Sequence, residues 1–597
     1  TVSEKGSSNS FIASIRSINN LLSPTQKKQA FFIILLILAN SFMDVIGLAS
    51  ALPIINLAFN TSLIHVNYYL QSFYTYGGFA SDNNFLNFAF LLLLLIFVIK
   101  NIIGIIITHI QVKYCFNISL DLSRRLMRGY FSKDFQFFKD NNDGVIAYNI
   151  YATPGYFSQN IMLPSITFIT EGLVSLIICL AVAVFYAKIF FLLLLSIAPT
   201  VFLSYLFIKK RSRKIEEDTK TLTPLIVKDV LQAIQGFIDI ILANKQNYFN
   251  RKFIKKQNIL NKGRVTLNDL SSIPVRIIEV AAMLTVVIIF FYSQNAPHIR
   301  ESLLMIIGLF IAAAYRMMPS ITRMINAVVH MRNYAYVTDI LKSDISRSTS
   351  EPTTASPLEF KHTIALNDIS FTYPDKAKVA LSKLNLIIQK GESIGVIGQT
   401  GAGKSTLIHI ILRLFREEEG SLCIDGVPIT RENEDSWRIL IGYVKQDIFI
   451  FDGSIAENIA IGTPPDQIDA ARMERALRLS CFGPVLKNQP EGLQTHIGEN
   501  GSKLSGGQKQ LLAVARALYK NSSVLIFDEA TSALDSETER SLTESIAQLA
   551  DEGITMITIS HRVGFLRHCS VIYEFSDGKI FKSYTYQELA SLAKDKL

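Results

Sequence analysis

Six long apolar stretches, at about residues 30–59, 85–112, 162–187, 189–208, 273–293 and 302–329, limit what this chain can fold into more than any other feature. Each reaches or nearly reaches the roughly 20 residues that a membrane-crossing helix requires. In hydrocarbon the backbone satisfies its polar groups only as a helix or a closed barrel, and continuous apolar runs of this length select helices. The whole chain agrees. It is 49% hydrophobic and 18% charged, with a mean hydropathy of +0.29, which excludes an ordinary water-soluble enzyme. The net charge of +9 does not call for a nucleic-acid partner, because cytoplasmic loops of membrane proteins carry surplus Lys and Arg. Five cysteines without metal spacing suit a reducing compartment or burial.

Charge sets the orientation. Residues 60–84 hold no Lys or Arg, whereas 113–139 hold Lys113, Arg124, Arg125, Arg128, Lys133 and Lys139, and 209–264 open on Lys209, Lys210 and Arg211. The positive-inside rule places both termini and both long loops in the cytoplasm. These loops contain few helix breakers, so spans two to five are expected to continue outward as long helices, turning near 145–155 and 241–249. Residues 1–29 read as a polar tail followed by an amphipathic surface helix carrying Phe11, Ile12, Ile15, Ile18, Leu21 and Leu22. No cleavable signal peptide is expected. Between spans one and two, Val66, Tyr69, Leu70 and Phe73 form one face of a short external helix, or else a loop with interfacial aromatic anchors.

Asp44, Lys100, Arg276, Glu279, Arg316 and Arg323 fall at membrane depth, where ionisable groups are costly and mark functional positions. Arg276 and Glu279 can form an internal ion pair. Arg316 and Arg323 are seven residues apart and share a helix face. They fit either a phosphate-bearing head group or a structural role.

The Ser/Thr/Pro-rich residues 343–358 divide a membrane domain, 30–342, from an α/β domain, 359–597. In the second part an apolar strand, Ser393–Ile397, runs into Gly398-Gln399-Thr400-Gly401-Ala402-Gly403-Lys404-Ser405-Thr406 and then into a helix. That is the strand–loop–helix context of a phosphate-binding loop. Its inward N–H groups and the helix terminus cradle an anion. Lys404 reaches the β- and γ-phosphates of a nucleotide, and Ser405 holds Mg²⁺. Farther on, Val524–Glu529 is a buried strand ending in two acids. Asp528 suits Mg²⁺, and Glu529 suits a base for an attacking water. Leu504-Ser505-Gly506-Gly507-Gln508 opens a second helix on another phosphate-binding turn. One nucleotide cannot use both turns of one chain, so the economical arrangement is a dimer with ATP between two copies.

On these motifs residues 359–597 resemble the nucleotide-binding domain of an ATP-binding cassette (ABC) transporter. With six spans ahead of them, the chain looks like an exporter half-transporter. The fold class expected is a helical membrane domain with six transmembrane helices plus an α/β P-loop NTPase domain, in the type I ABC exporter architecture. The resemblance implies that Tyr373 stacks on adenine and that Gln446 links Mg²⁺ and the attacking water to the membrane domain. It implies that Ser505, Gly506, Gly507 and Gln508 contact the opposite copy's ATP. Ser532–Asp535 matches the D-loop, His561 the switch histidine on the γ-phosphate, and Glu499 the loop that touches the coupling helices. No catalytic position is degenerate, which favours a homodimer. The stretch Arg316-Met317-Met318-Pro319-Ser320, with Asp44-Val45-Ile46-Gly47 and Pro53 in span one, is similar to bacterial lipid-linked oligosaccharide flippases, which implies an inner-membrane protein moving a polyprenyl-diphosphate-linked glycan to the outer leaflet. Alternatives are a multidrug, phospholipid or peptide exporter, an ATP-gated channel, or a non-transport ABC ATPase.

Overall fold

The computed structural model describes residues 18–59, 61–185, 187–294, 303–346, 358–373, 378–530 and 536–594. The chain divides into two compact units. One comprises Thr1–Lys133 and Phe137–Thr349, the other Asp134–Gln136 and Ser350–Leu597.

The first unit is helical. Its helices are α1 (Pro24–Phe59), α2 (Leu63–Val66), α3 (Tyr68–Tyr76), α4 (Asp82–Phe131), α5 (Phe135–Asp140), α6 (Asp143–Phe157), α7 (Leu163–Phe185), α8 (Ala187–Gln235), α9 (Phe237–Leu242), α10 (Gln246–Gln294), α11 (Leu303–Asn333) and α12 (Ala335–Ser346). All six apolar stretches lie on long helices. Among the described residues, three continuous helical segments, 82–131, 143–180 and 246–288, are long and apolar enough to cross a membrane. Large apolar side chains such as Ile105 and Val280 stay exposed along them, as a lipid-facing surface requires. Toward the chain's basic loops the packing becomes that of a soluble core. Tyr114, Ile118, Leu122 and Leu126 of α4 bury against Phe157, Ile161, Tyr336 and Val337. Leu21 and the flanking Ile18 and Leu22 join that core; Phe11, Ile12 and Ile15 lie outside the described residues.

Two local expectations are corrected, and the second loop turns within the range expected. The first loop does not turn at 145–155, because α6 runs through that range. The helix starts after Asn142, whose side-chain oxygen accepts the Gly144 N–H at 3.1 Å, and Pro154 is buried within it. Interior Pro removes one backbone hydrogen bond, and the irregularity appears directly afterwards as a π-helical turn, Ser158–Met162. The breaks in the helical run fall instead at 132–134 and 141–142. In the second loop the chain turns at 243–245, with a further break at Gly236. Between spans one and two there are two short helices. Asn67 separates them and caps α3, accepting the N–H groups of Tyr69 and Leu70. Val66 and Tyr69 point outward, and the buried face is Leu63, Ile64, Leu70 and Tyr74 against Leu57 and Phe85.

The second unit has two sheets. A four-stranded antiparallel sheet has the order β2 (Val379–Gln389), β1 (Thr363–Thr372), β4 (Glu419–Ile424), β5 (Val427–Pro428). A six-stranded sheet has the order β10 (Lys579–Tyr584), β9 (Val571–Ser576), β3 (Ser393–Gly398), β8 (Thr555–Ile559), β7 (Val524–Asp528), β6 (Ile441–Val444). All neighbours in it are parallel except β10 with β9. Such strands are covered on both faces and read as continuous apolar runs; all five residues of β8 are buried. Ligands of open parallel sheets bind beyond the carboxyl ends of the strands. The ends of β3, β7 and β8 are where Gly398, Asp528 and Ile559 lie.

Candidate functional site

The loop after β3 is shaped by glycine at positions no other residue could hold. Gly398, Gly401 and Gly403 have φ of +147°, +86° and +106°. A Cβ on Gly398 would lie 2.4 Å from the Phe575 carbonyl oxygen, and one on Gly403 2.7 Å from that of Ala380. The chain must curl here, and only glycine permits it. Lys404 opens helix α13 (Lys404–Ile411). Its Nζ donates to the carbonyl oxygens of Gly398, at 2.7 Å, and Gln399, at 3.1 Å. The ammonium thus spans its own loop. Burial pulls its pKa down, and the charges of Glu529 and Asp528 oppose that shift. Ser405 and Thr406 follow on the helix. Tyr373 exchanges a hydrogen bond of 3.0 Å with the Thr406 hydroxyl, and its ring meets Phe371 and Phe415 edge-on.

At the tip of β7, Asp528 accepts a hydrogen bond of 2.9 Å from the Tyr443 hydroxyl. Burial raises the Asp528 pKa, and the neighbouring Glu529 charge adds to the rise. The same burial, with Asp528 beside it, raises that of Tyr443. Glu529 sits at φ +49°, and its N–H donates to the Ile559 carbonyl at 3.1 Å. This turn aims its carboxylate at His561, whose Nε2 lies 3.2 Å away. The structure therefore joins Lys404, Asp528, Glu529 and His561 around three strand ends. Tyr443 is a partner that sequence reading missed. Its position in β6 looks like any alternate strand residue, and no local signal distinguishes it.

A donor set of two half-buried carboxylates and a hydroxyl suits a hard divalent cation completed by phosphate oxygens. Among the described residues no cluster of three or more His, Cys, Asp or Glu could hold a metal alone. Gln446 is exposed just after β6, and its carbonyl accepts from Gln510 Nε2 at 3.2 Å.

The second turn caps helix α14 (Gly506–Tyr519) with a reciprocal box. The Ser505 hydroxyl accepts the Gln508 N–H, and Gln508 Oε1 accepts the Ser505 N–H. Ser505 and Gly506 are exposed while Gly507 is buried. A Cβ on Gly507 would fall 2.4 Å from Thr538 Cγ2. Glu499 is exposed in a 3₁₀ turn next to Asn500, which has φ +53°. Ser532–Asp535 lies outside the described residues. Residues 134–136 group with this unit, and the Phe135 ring lies 5.5 Å from His409 and 5.6 Å from Phe415.

In the helical unit, Arg276 pairs with Glu279 at 3.0 Å, as the sequence allowed. Arg323 Nε donates to Glu171 Oε1, so this arginine has a resident carboxylate partner that sequence reading did not supply. The side chains of Asp44 and Arg316 lie outside the described residues.

Comparison with known proteins gives the family. Residues 381–532 match the family described as ABC transporter, and residues 54–313 match the ABC transporter transmembrane region. A protein of Yersinia pestis named ATP-dependent lipid A-core flippase is 26% identical over 522 residues, 86% of this chain and 88% of its own. One of the same name from Vibrio cholerae is 26% identical over 550 residues, covering 91% and 92%. Another of that name, from Cupriavidus metallidurans, is 40% identical, but over 227 residues that span only 38% of either chain. The solved structure of a bacterial Atm1-family ABC exporter with ATP bound superposes with a TM-score of 0.74 at 19% identity, covering 95% of this chain and 96% of that one. That last likeness bears on the fold.

Proposed function

From the premise that the chain is an ABC transporter, a half-transporter with its membrane domain fused to an ATP-binding domain, we propose that it is an ATP-driven flippase for a glycolipid with a phosphate-bearing head group. The observation that carries this is the match to lipid A-core flippases over 86% of the chain, through both units. Within that class a polyprenyl-diphosphate-linked oligosaccharide is the cargo we favour. Two arginines one heptad apart, Arg316 and Arg323, suit two adjacent phosphates.

ATP is bound and hydrolysed at the ends of β3, β7 and β8. The N–H groups of Gly401–Thr406 and the ammonium of Lys404 hold the phosphates, and Tyr373 offers its ring to adenine. Ser405, Asp528 and Gln446 are the groups that would hold Mg²⁺, which when bound supplies charge neutralisation on the phosphates. Glu529 takes the proton of the attacking water, and His561, 3.2 Å from it, orients that carboxylate and the γ-phosphate. The turn Ser505–Gln508 serves the ATP of a second, identical copy, and Glu499, exposed in its 3₁₀ turn, is the residue assigned to the coupling helices. ATP binds the closed dimer better than the open one and so shifts the membrane halves between access states. In this reading the protein sits in a bacterial inner membrane with both termini and the ATP-binding domain cytoplasmic.

The test is ATPase activity and flipping in proteoliposomes holding a diphosphate-linked glycolipid. The parent is expected to do both. Arg316→Ala/Arg323→Ala is expected to hydrolyse ATP without moving the lipid. A parent that hydrolyses ATP and never moves the glycolipid, beside a working control flippase, removes the glycolipid reading and leaves an ABC exporter of other cargo.

A further inference from the structure

The interface between α7 and α11 carries an ion pair where a bilayer core would be, and unpartnered polar atoms beside it. Glu171 is nine residues into the third apolar stretch, and Arg323 lies within the sixth. The Glu171 side chain is 13% exposed and that of Arg323 46%, so the guanidinium opens outward while the carboxylate is set into the helix packing. Only one carboxylate oxygen is used: Glu171 Oε2 is buried with no hydrogen-bond partner among the described residues.

The register of the two helices follows from three contacts. The Ser165 hydroxyl meets the Met331 sulfur at 3.2 Å, Glu171 meets Arg323, and a Cβ on Gly172 would lie 3.8 Å from Met324 Cε. Residue numbers rise on one helix as they fall on the other, so the pair is antiparallel. Ser175, one turn beyond Glu171, is then level with Ser320, about one turn before Arg323. Both hydroxyl oxygens are buried without partners among the described residues. Buried polar atoms are nearly always hydrogen-bonded, and those that are not call for an explanation.

We propose that Glu171 is the resident counter-ion of the head-group site, and that a phosphate-bearing glycolipid enters by exchanging with it for Arg323. This rests on the flippase reading above. With the site empty, the carboxylate keeps an arginine at membrane depth paired, which an unpaired charge there could not be without large cost. An arriving phosphate presents more charge and a bidentate face to the guanidinium. The displaced carboxylate stays in the packing and is received by the Ser175 hydroxyl, four residues on along its own helix face. When the head group leaves, Glu171 recaptures Arg323. The carboxylate therefore weakens binding and speeds release, and makes Glu171 a positioning residue.

The experiment measures, in proteoliposomes, the glycolipid concentration that half-stimulates ATPase activity and the lipid moved per ATP at saturation. Two phosphate-bearing probes, a polyprenyl-diphosphate-linked oligosaccharide and a lipid A-core glycolipid, separate the sources of phosphate; a neutral glycolipid is the third arm. Glu171→Gln is expected to lower the half-stimulating concentration about tenfold for whichever phosphate-bearing probe is transported, with less lipid moved per ATP. Ser175→Ala is expected to raise that concentration, and the neutral probe to respond to neither change. Equal half-stimulating concentrations in parent and Glu171→Gln overturn the exchange and leave the flippase reading standing. So does a Glu171→Gln protein that responds more weakly and unfolds at lower temperature, because the pair is then a structural strut. A parent stimulated by neither phosphate-bearing probe removes both readings.

Discussion

Glu529 shows how much a single residue is asked to do here. It holds a left-handed backbone angle, closes a hydrogen bond to the next strand and presents its carboxylate to His561. Glu529→Gln keeps the shape and removes the proton acceptor. Steady-state phosphate release is expected to fall about 10²–10³-fold while ATP binding, read by a fluorescent analogue, persists. Asp528 makes a different prediction. Its folded pKa is raised, so the protonated form favours the fold. That contribution is complete below the carboxyl's unfolded value and is lost as pH rises through the folded one. Above its raised pKa the nucleotide-free chain carries the ionised, partly desolvated acid as a burden. Asp528→Asn is therefore expected to raise the melting temperature without nucleotide, by about 2 °C, and to abolish ATPase activity. The residues proposed for catalysis were legible in the sequence because each lies close to a strand end, where the structure brings Lys404, Asp528, Glu529 and His561 together. Tyr443 and Glu171 were not, since each acquires its role from a partner far along the chain, Asp528 and Arg323.

Among elements, the α8–α10 hairpin is tied at Asp229, whose side chain is 10% exposed and bonds Lys252 at 3.0 Å and Lys256 at 2.5 Å. Burial alone would raise its pKa, but the two lysines bring it below the usual range. With a depressed folded value, its contribution is present above the unfolded pKa and is lost as pH falls through the folded one. Asp229→Asn is expected to speed proteolysis between residues 236 and 245 at neutral pH, and acid is expected to do the same to the parent. At the turn Ser505–Gln508, Gly507→Ala drives a methyl against Thr538. ATPase activity is expected to drop, with part of the loss recovered in Gly507→Ala/Thr538→Ala. The long helices were visible in advance because apolar length is a strong signal. The first loop turns earlier than expected, because Asn142 caps a helix that carries Gly144, Pro154 and Gly155 within it and is followed by the π turn Ser158–Met162. The face of α3 was misjudged for a similar reason: Asn67 caps a fresh helix, which resets the phase that Val66 would have shared.

For the whole molecule, the division of labour between copies can be tested by mixing. A Lys404→Ala chain and a Ser505→Arg chain should each be inactive alone. Reconstituted together, they form dimers in which one site carries both defects and the other carries none, so ATPase activity is expected to return. Return of activity requires that the two turns come from different chains. The length of the helices has a further consequence. A 50-residue helix such as α4 extends about 75 Å, more than twice the roughly 30 Å of hydrocarbon. Rods of that length act as levers. A tilt of about 10° about one end sweeps the other through about 13 Å at this rise per residue, the width of a small oligosaccharide. Slight rocking at one end is thereby amplified into a large displacement at the other, and no helix has to unwind for it.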